Sequence, residues 1–586
     1  MENPQVAQIF EEVADLLEIQ SENPFRIRAY RRAAQVVSDL GERVADIVHD
    51  PDRRLDDYPG IGKDLAGKIR EIVDTGELSL RSELAAKVPP GLRALLSLPG
   101  LGPKRASTLY KNLGIASLDE LRKAAESHRI KALKGFGEKT EQAIIKSLQQ
   151  LKQTGKRILW SEAKVYAEAL TNHLRGASGV GQLEVAGSYR RRKETVGDLD
   201  IVVACKSTSQ VMDRLASFEE VAEVLAHGGT RMTVRLKTGL QVDLRVVPDV
   251  SFGAALQYFT GSKAHSIHIR RRAQDRGLKV NEYGVFRGSR RIAGKTEVEV
   301  YRAIGLPWIP PELREDRGEV ELAEAPQLPD LVRPEDIKGD LHVHTTDTDG
   351  RASLEDMVLA AKRRGYSYVA ITDHSRRVTM ARGLDARLLR QQWKRIDRLA
   401  KRNPGITILK GVELDILEDG SLDLPDSVLQ EADWVVASIH YGQNQSPERI
   451  TRRLLNAIEN PHVAAIGHPT GRLIGKRPGY QFDLQAVFTA AAETGCLMEI
   501  NAQPVRLDLD EVAIAEAKKK GVQFVVSTDA HSVEELGFME FGINQARRAG
   551  LEKLDIVNTR PLQAFRKLLR GARPAKRSGS MAKVTV

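Results

Sequence analysis

The chain has 586 residues, 41% hydrophobic and 29% charged, a balance that fits a globular protein with several cores and excludes a fibrous or disordered one. No run approaches the roughly 18 apolar residues of a membrane span, and the acidic, amphipathic start MENPQVAQIFEEVADLLE is unlike a signal peptide. Only two cysteines, Cys205 and Cys496, exclude a disulfide scaffold and point to a reducing, cytoplasmic setting, while a net charge of +10 favours a polyanionic partner.

Residues 1–150 read as helical. NPQVAQIFEEVADLLEI and NPFRIRAYRRAAQVVSDL place apolar residues at helical spacing, the second with basic residues between them. A repeat follows: YPGIGKDLAGKIREIV, LPGLGPKRASTLYKNL and LKGFGEKTEQAIIKSL each open an amphipathic helix on a Gly-x-Gly turn. Such a turn lets a phosphate approach the backbone, where helix-terminal N–H groups hold it without reading bases. One copy would read as a simple joint between packed helices. Three copies beside Lys63, Lys104, Arg105 and Lys139 favour a duplex-binding role for Gly60, Gly62, Gly100, Gly102, Gly135 and Gly137.

From about residue 157 the texture becomes mixed α/β, with LDIVVAC and LQVDLRVV as strands. Asp198 and Asp200, two apart on a strand, turn both carboxylates to one face. Asp243 can add a third from a neighbouring strand, a set of hard oxygen donors suited to two Mg²⁺ or Mn²⁺ ions and a substrate phosphate. The preceding Gly187–Ser188 turn offers backbone donors to triphosphate oxygens.

AGSYRRRKETVGDLDIVV, VDLRVV, LQYFTGS and HIRRRAQDRGLKVNEYGVF together resemble the family X DNA polymerases, over about residues 1–315. The resemblance implies a nucleotidyltransferase palm and thumb in which Arg157, Gly187, Ser188, Arg191 and Gly197 grip the incoming triphosphate. Tyr258, Phe259 and Gly261 would lie against its sugar, Arg245 would pair with Asp200 in an inactive conformation, and Arg270 would stand on the template side. It also implies a lyase-like amino-terminal domain with Lys68 as Schiff-base lysine. Phe25 and Arg26, however, stand where the animal repair enzyme has histidine and lysine, and Lys68 reads equally well as an exposed helix lysine.

Residues 310–336 are acidic and proline-rich and read as a linker. Beyond them short apolar runs alternate with helices, which favours a parallel sheet or barrel. His342, His344, His374, His440, His468 and His531 fall at predicted strand ends, with Asp349, Glu413 and Asp529 in the same contexts. In a parallel barrel the carboxyl ends of different strands converge on one mouth. Imidazole with carboxylate suits Zn²⁺, Mn²⁺ or Fe²⁺, and nine ligands bridged by Glu413 could hold up to three ions. His462 lacks such a context. This half, about 337–572, resembles the polymerase and histidinol phosphatase (PHP) domain, a distorted seven-stranded barrel, although Asp349 stands where many relatives carry histidine. The resemblance implies phosphoester hydrolysis and, joined to a polymerase, 3′–5′ exonuclease activity, with 3′-end or abasic-site processing as a further expectation.

The expected architecture is a multidomain α and α/β protein: a helical DNA-binding, lyase-like domain (1–85), a helix-hairpin-helix region (86–155), palm (156–260), thumb (261–315), linker (316–336), PHP barrel (337–572) and a basic disordered tail (573–586). Expected partners are gapped or primed DNA and deoxynucleoside triphosphates, in the cytoplasm at the nucleoid, with no membrane. Two rival readings are an RNA- or small-molecule-directed nucleotidyltransferase fused to a phosphatase, which the Gly-turn repeats and YFTGS oppose, and an inert DNA-end scaffold, which the filled ligand sets oppose.

Overall fold

The structure, a computed structural model, describes residues 3–571 except 21, 40–43, 51–52, 59, 90–91, 93–94, 96–100, 134–135, 139, 143, 146–156 and 206–207. The chain divides into two compact units, Met1–Arg157 and Ile158–Val586. The predicted tail, 573–586, lies outside the described residues, as do Gly100, Gly135 and Lys139.

In the first unit helices Asn3–Ile19 and Pro24–Asp39 pack their apolar faces together, burying Phe10, Leu17, Tyr30, Ala33 and Val37. The Phe10 and Tyr30 rings meet edge to face at 5.6 Å. On the outside Arg31 gathers Glu11, Asp15 and Glu18 at 2.7–2.9 Å. Helix Lys63–Thr75 starts at Gly62 and ends on left-handed Gly76; helix Pro103–Leu113 starts at Gly102 and ends on left-handed Gly114.

The second unit opens with strands β1 (Ile158–Leu159), β2 (Val180–Val185), β3 (Thr195–Val196), β4 (Asp198–Cys205), β5 (Val221–His227), β6 (Arg231–Leu236) and β7 (Gln241–Val247). β1 pairs with β3, and the other five form a sheet in the order β2-β4-β7-β6-β5, in which only β4 and β7 run parallel. Alternation along β4 sends Leu199, Ile201 and Val203 into a core with helix Trp160–Arg175. Val202 and Ala204 pack instead against helix Phe252–Thr260. Asp198 and Asp200 belong to that second face. Next come β8 (Lys279–Asn281), β9 (Gly284–Arg287) and β10 (Arg290–Ala293), an antiparallel sheet packed with helices Lys263–Gln274 and Glu297–Ala303. Glu297 clamps this subdomain to the palm: Arg190 and Arg314 each reach it at 2.7 Å, and Trp308 Nε1 donates to it at 2.9 Å. The two guanidiniums overcome the effect of burial and hold its carboxyl well below the usual range.

Strands β11 (Gly339–Asp340), β12 (Tyr368–Ile371), β13 (Thr407–Asp415), β14 (Trp434–Ser438), β15 (Ala465–Ile466), β16 (Leu497–Asn501) and β17 (Phe524–Ser527) form one parallel sheet in chain order. A parallel bridge from Val343 to Ala530 brings its first and last strands together, so the sheet is a nearly closed barrel. One layer of side chains, including Tyr368 and Trp434, packs on Phe565 of helix Leu562–Gly571; a larger layer meets the surrounding helices.

The segment expected to link the halves is packed along its length. Its helix Glu319–Glu324 buries Val320 and Ala323, and Val332 N donates to Leu551 O at 3.0 Å. Palm and barrel also touch directly within this unit. Trp160 meets Phe541 edge to face at 5.8 Å, Arg472 pairs with Glu194, and Lys164 reaches Glu540 at 2.5 Å. Fully buried Arg548 joins Arg191 O at 2.6 Å, Glu315 at 3.2 Å and Glu511 at 2.8 Å.

Candidate active sites

On the palm, parallel pairing of β4 with β7 sets Asp200 opposite Asp243, with Asp198 one pleat away. Asp243 is buried and braced: Thr233 Oγ1 and Gln241 Nε2 each donate to it at 2.6 Å, and Arg231 lies at 3.2 Å. Burial, then the charges of Asp198 and Asp243, push the Asp200 carboxyl up to about 7, against the pull of Arg245 and Arg191. Gly187 takes a left-handed φ of +62°, and a Cβ there would collide with the Asp200 carboxylate. The turn that starts Gly187–Arg190 is therefore pressed against the acids, with Ser188 inside it and Gly197 immediately before β4.

Arg191 sits near these acids with its donors already engaged. Its Nε reaches Glu315 at 2.9 Å and its Nη1 reaches Thr260 O at 2.5 Å. The expected pairing of Arg245 with Asp200 persists as an electrostatic attraction, while its guanidinium lies 5.1 Å over the Phe259 ring. Tyr258 and Phe259 meet edge to face at 5.2 Å, and Gly261 ends their helix at φ +67° beside the Arg191 guanidinium. Arg270 lies on helix Lys263–Gln274, its Nε donating to Ser266 O at 3.2 Å.

At the barrel mouth the predicted ligands converge. Three groups hold ligand atoms within 4.8 Å of one another: His344, Asp349, His374 and His531; His342, His344 and Asp529; and His374, Glu413 and His440. His468 Nε2 joins them through Glu413 at 3.0 Å. The donor set fits divalent metal by a direct test. His342 Nε2, both ring nitrogens of His344, His374 Nδ1, His468 Nδ1 and Glu413 Oε2 are buried without an acceptable hydrogen bond. His374 Nδ1 approaches Glu413 Oε2 to 2.8 Å, but outside hydrogen-bonding geometry.

Charge is balanced inside this cluster. Burial opposes ionisation, yet Glu499, Asp529 and Glu413 raise His342 well above the usual imidazole range. Burial likewise opposes the charge of His374 and His531, but Glu413 and Asp349 bring the first up to about 10, and Asp349 and Asp529 the second up to about 9. His344, buried beside those two imidazoles, is pushed down to about 3. Glu413 and Asp529 stay ionised against burial because the histidines surround them.

A second layer, missing from the sequence reading, orients these ligands. Glu499 accepts from His342 Nδ1 and from the His468 backbone N–H, both at 2.7 Å. Asp415 lies 3.0 Å from His440 Nδ1. Asp373 takes Thr345 Oγ1 at 2.6 Å and Thr348 Oγ1 at 2.5 Å, fixing the loop between His344 and Asp349. Buried Asp340 accepts from Thr528 Oγ1 at 2.5 Å, and burial pushes it up to about 6 despite that bond. Such contacts set the tautomer and direction of metal-binding imidazoles. Glu499 and Asp415 occupy the same strand-end contexts as the ligands, and that signal could have found them.

In the first unit, ideal Cβ atoms at Gly62, Gly102 and Gly137 would meet nothing within 4 Å, so these glycines leave open space rather than fill a packing need. Gly60 has φ +105° and lies against Arg32. Lys63 opens its helix, and Lys104 and Arg105 lie in the first turn of Pro103–Leu113. Lys68 is partly buried and ion-paired with Asp64 one turn away. Phe25 is 76% exposed, with Arg28 4.6 Å above its ring. Arg157 is exposed.

Family matches follow this division. Residues 1–78 match a helix-hairpin-helix domain, 92–150 a SAM-like helix-hairpin-helix tandem, 157–248 the DNA polymerase beta palm, 255–315 the DNA polymerase beta thumb, and 340–503 the PHP domain. A protein of Bacillus subtilis (strain 168) named DNA polymerase/3'-5' exonuclease PolX is 38% identical over 570 residues, 96% of this chain and 98% of that protein. The chain belongs to the PolX family of DNA polymerases. PolX architecture thus accounts for both centres in one polypeptide. The barrel alone is also similar to a probable phosphatase of Thermoanaerobacter sp. (strain X514), 32% identical across 38% of this chain and 89% of that protein. A probable phosphatase of Photobacterium profundum is 32% identical across 34% and 81%. Among the described residues no helix is long and apolar enough to cross a membrane.

Proposed function

We propose that this PolX-family chain fills short gaps in DNA from deoxynucleoside triphosphates during base-excision or end repair, and that its PHP site shortens DNA 3′ ends. The observation that carries the reading is the register of Asp200 against Asp243 in the same chain as the histidine-rich barrel mouth. Asp198, Asp200 and Asp243 would hold two Mg²⁺ or Mn²⁺ ions. The nine PHP ligands would hold up to three of Zn²⁺, Mn²⁺ or Fe²⁺. Bound there, divalent ions supply Lewis acidity and neutralise charge gathering on phosphate.

The protein's own groups do the rest. Asp243, held by Thr233 and Gln241, accepts a hydrogen bond from the primer 3′-hydroxyl and aligns it for attack. The Gly187–Ser188 turn, Gly197, Arg157 and Arg191 receive the triphosphate; Tyr258, Phe259 and Gly261 flank the sugar; Arg270 stands beside the template. The Gly-turn helices, with Lys63, Lys104 and Arg105, hold duplex backbone beside the gap. At the barrel, Glu499 and Asp415 keep the His342 and His440 rings aimed at the cluster. The enzyme works in the cytoplasm, at the nucleoid. Removal of 3′ blocks or cleavage at abasic sites would use the same PHP groups, and the phosphatase relatives favour that extension.

The test is a gapped-duplex assay in Mg²⁺ and Mn²⁺, with and without deoxynucleotides. Asp198→Ala with Asp200→Ala should abolish extension and spare DNA binding. Extension that survives in that variant rejects the palm assignment.

A further inference from the structure

Helix Ala386–Arg402 carries seven basic residues against one acid. Leu389, Gln392, Trp393, Ile396 and Leu399 face the core. On the opposite face Arg387, Lys394, Arg398, Lys401 and Arg402 are exposed, recurring at the three- and four-residue intervals that line up one side of a helix. The domain's acids pair with other positions instead: Glu431 with Arg390 at 2.6 Å, and Asp347 with Arg395. The helix's own acid, Asp397, reaches Lys410 at 3.7 Å. None of the five exposed cations has an acidic partner within 4.0 Å among the described residues. A basic helix face usually spreads its charge among acids; this one leaves five cations without them.

Its position gives that charge a use. Leu384 N donates to the carbonyl of the ligand His374 at 2.8 Å, and Asp385 caps the helix through Leu388 N at 2.8 Å. Gln392 reaches Asp347, two residues from the ligand Asp349, at 2.7 Å. The helix therefore begins at the barrel mouth and, like the helices of any parallel βα unit, runs back along the flank. Exposed Arg376 continues the basic surface at the rim, two residues beyond His374. From Arg387 to Arg402 the face is about 22 Å long at 1.5 Å per residue, enough to follow about six phosphates of a strand at 3.4 Å each.

We propose that this face is a track for the sugar–phosphate backbone of the DNA strand whose 3′ end occupies the PHP site, an inference that rests on the hydrolase reading above. Charge complementarity to phosphate, and the absence of any aromatic side chain among the exposed positions of the face, make the contact independent of base sequence. The track acts on substrate capture, not on the chemistry at the ligands.

The test compares the full-length protein with its R387E/K394E/R398E variant and with a control, R363E/K519E/K520E, whose exposed cations lie at carboxyl ends of other barrel helices. Two substrates are used: a 5′-labelled 20-nucleotide single strand and bis(p-nitrophenyl) phosphate, which is too small to touch the helix. Expected for the track variant is a roughly 10- to 100-fold higher KM on the oligonucleotide at about 0.1 M salt, with a salt-dependence slope smaller by about 2–3. Its kcat on the small phosphodiester should be unchanged, which also reports a folded PHP site. The control should match wild type on both. An unchanged oligonucleotide KM in the track variant, or an equal rise in the control, overturns the proposal. If wild type cleaves neither substrate, the hydrolase reading itself falls and takes the track with it.

Discussion

The palm draws its three acids from two adjacent strands, whereas the barrel draws nine ligands from the ends of six of its seven strands, with Glu499 of the remaining strand bracing two of them. The palm carboxylates face one another without intervening histidines, and their repulsion, added to burial, leaves Asp200 titrating near 7. In the barrel, imidazoles stand between the acids and each stabilises the other's charge. The difference teaches that the palm is a half-site, completed by cations arriving with a triphosphate, while the barrel holds a full ligand shell before substrate arrives.

The largest effect expected from that contrast is mutual independence. His342→Ala with His344→Ala should reduce metal-dependent 3′–5′ degradation to background while gap filling continues. Degradation persisting after rigorous repurification would mean that the barrel is not the nuclease.

A smaller effect should follow from the layer behind the ligands. Glu499→Gln keeps the shape but weakens the acceptor that aims His342 and His468, and degradation should fall about 10- to 100-fold. Metal content and rate measured on the same sample would check it; full activity at full metal content would show that the barrel ligands need no such bracing.

The join between the regions offers a third test. Removing one member of a buried ion pair typically costs about 3–5 kcal/mol, so Arg548→Met should lower thermal stability by a readily measured amount and raise the KM for deoxynucleotide, because Glu315 and the Arg191 carbonyl lose a shared partner. If neither changes, palm and barrel are joined without that residue. Acid should act on the same join. Burial works against the charge of Glu511, but Arg548 draws its carboxyl down to about 2 from the ordinary 4.5. A depressed carboxyl contributes stability that is complete above about 4.5 and is lost as pH falls toward about 2. Glu511→Gln should flatten that part of a stability–pH curve, and an unaltered curve would rule out the pair as its source.

The smallest expected effect lies in the amino-terminal unit. Lys68→Ala breaks only an ion pair with mostly exposed Asp64, and gap filling should stay within roughly twofold of wild type. Borohydride trapping on an abasic substrate asks the separate question of Schiff-base chemistry; a trapped adduct in wild type that vanishes in the variant would restore the lyase role.

Residue types and short spacings made the ligands legible, because a metal ligand must be one of few side chains and must stand at a strand end. The Asp-x-Asp pair, the strand-end histidines and the repeated glycine turns could therefore be read in order along the chain. Local pattern carries no information about which charged groups from distant segments share a buried space. Only the folded chain decided that Arg191 is tied to Glu315 and Arg548, that residues 310–336 pack rather than hang free, and that Glu499 lies behind two histidines. Each of these is a contact between stretches far apart in sequence, settled by how the layers pack and by the cost of burying a charge alone.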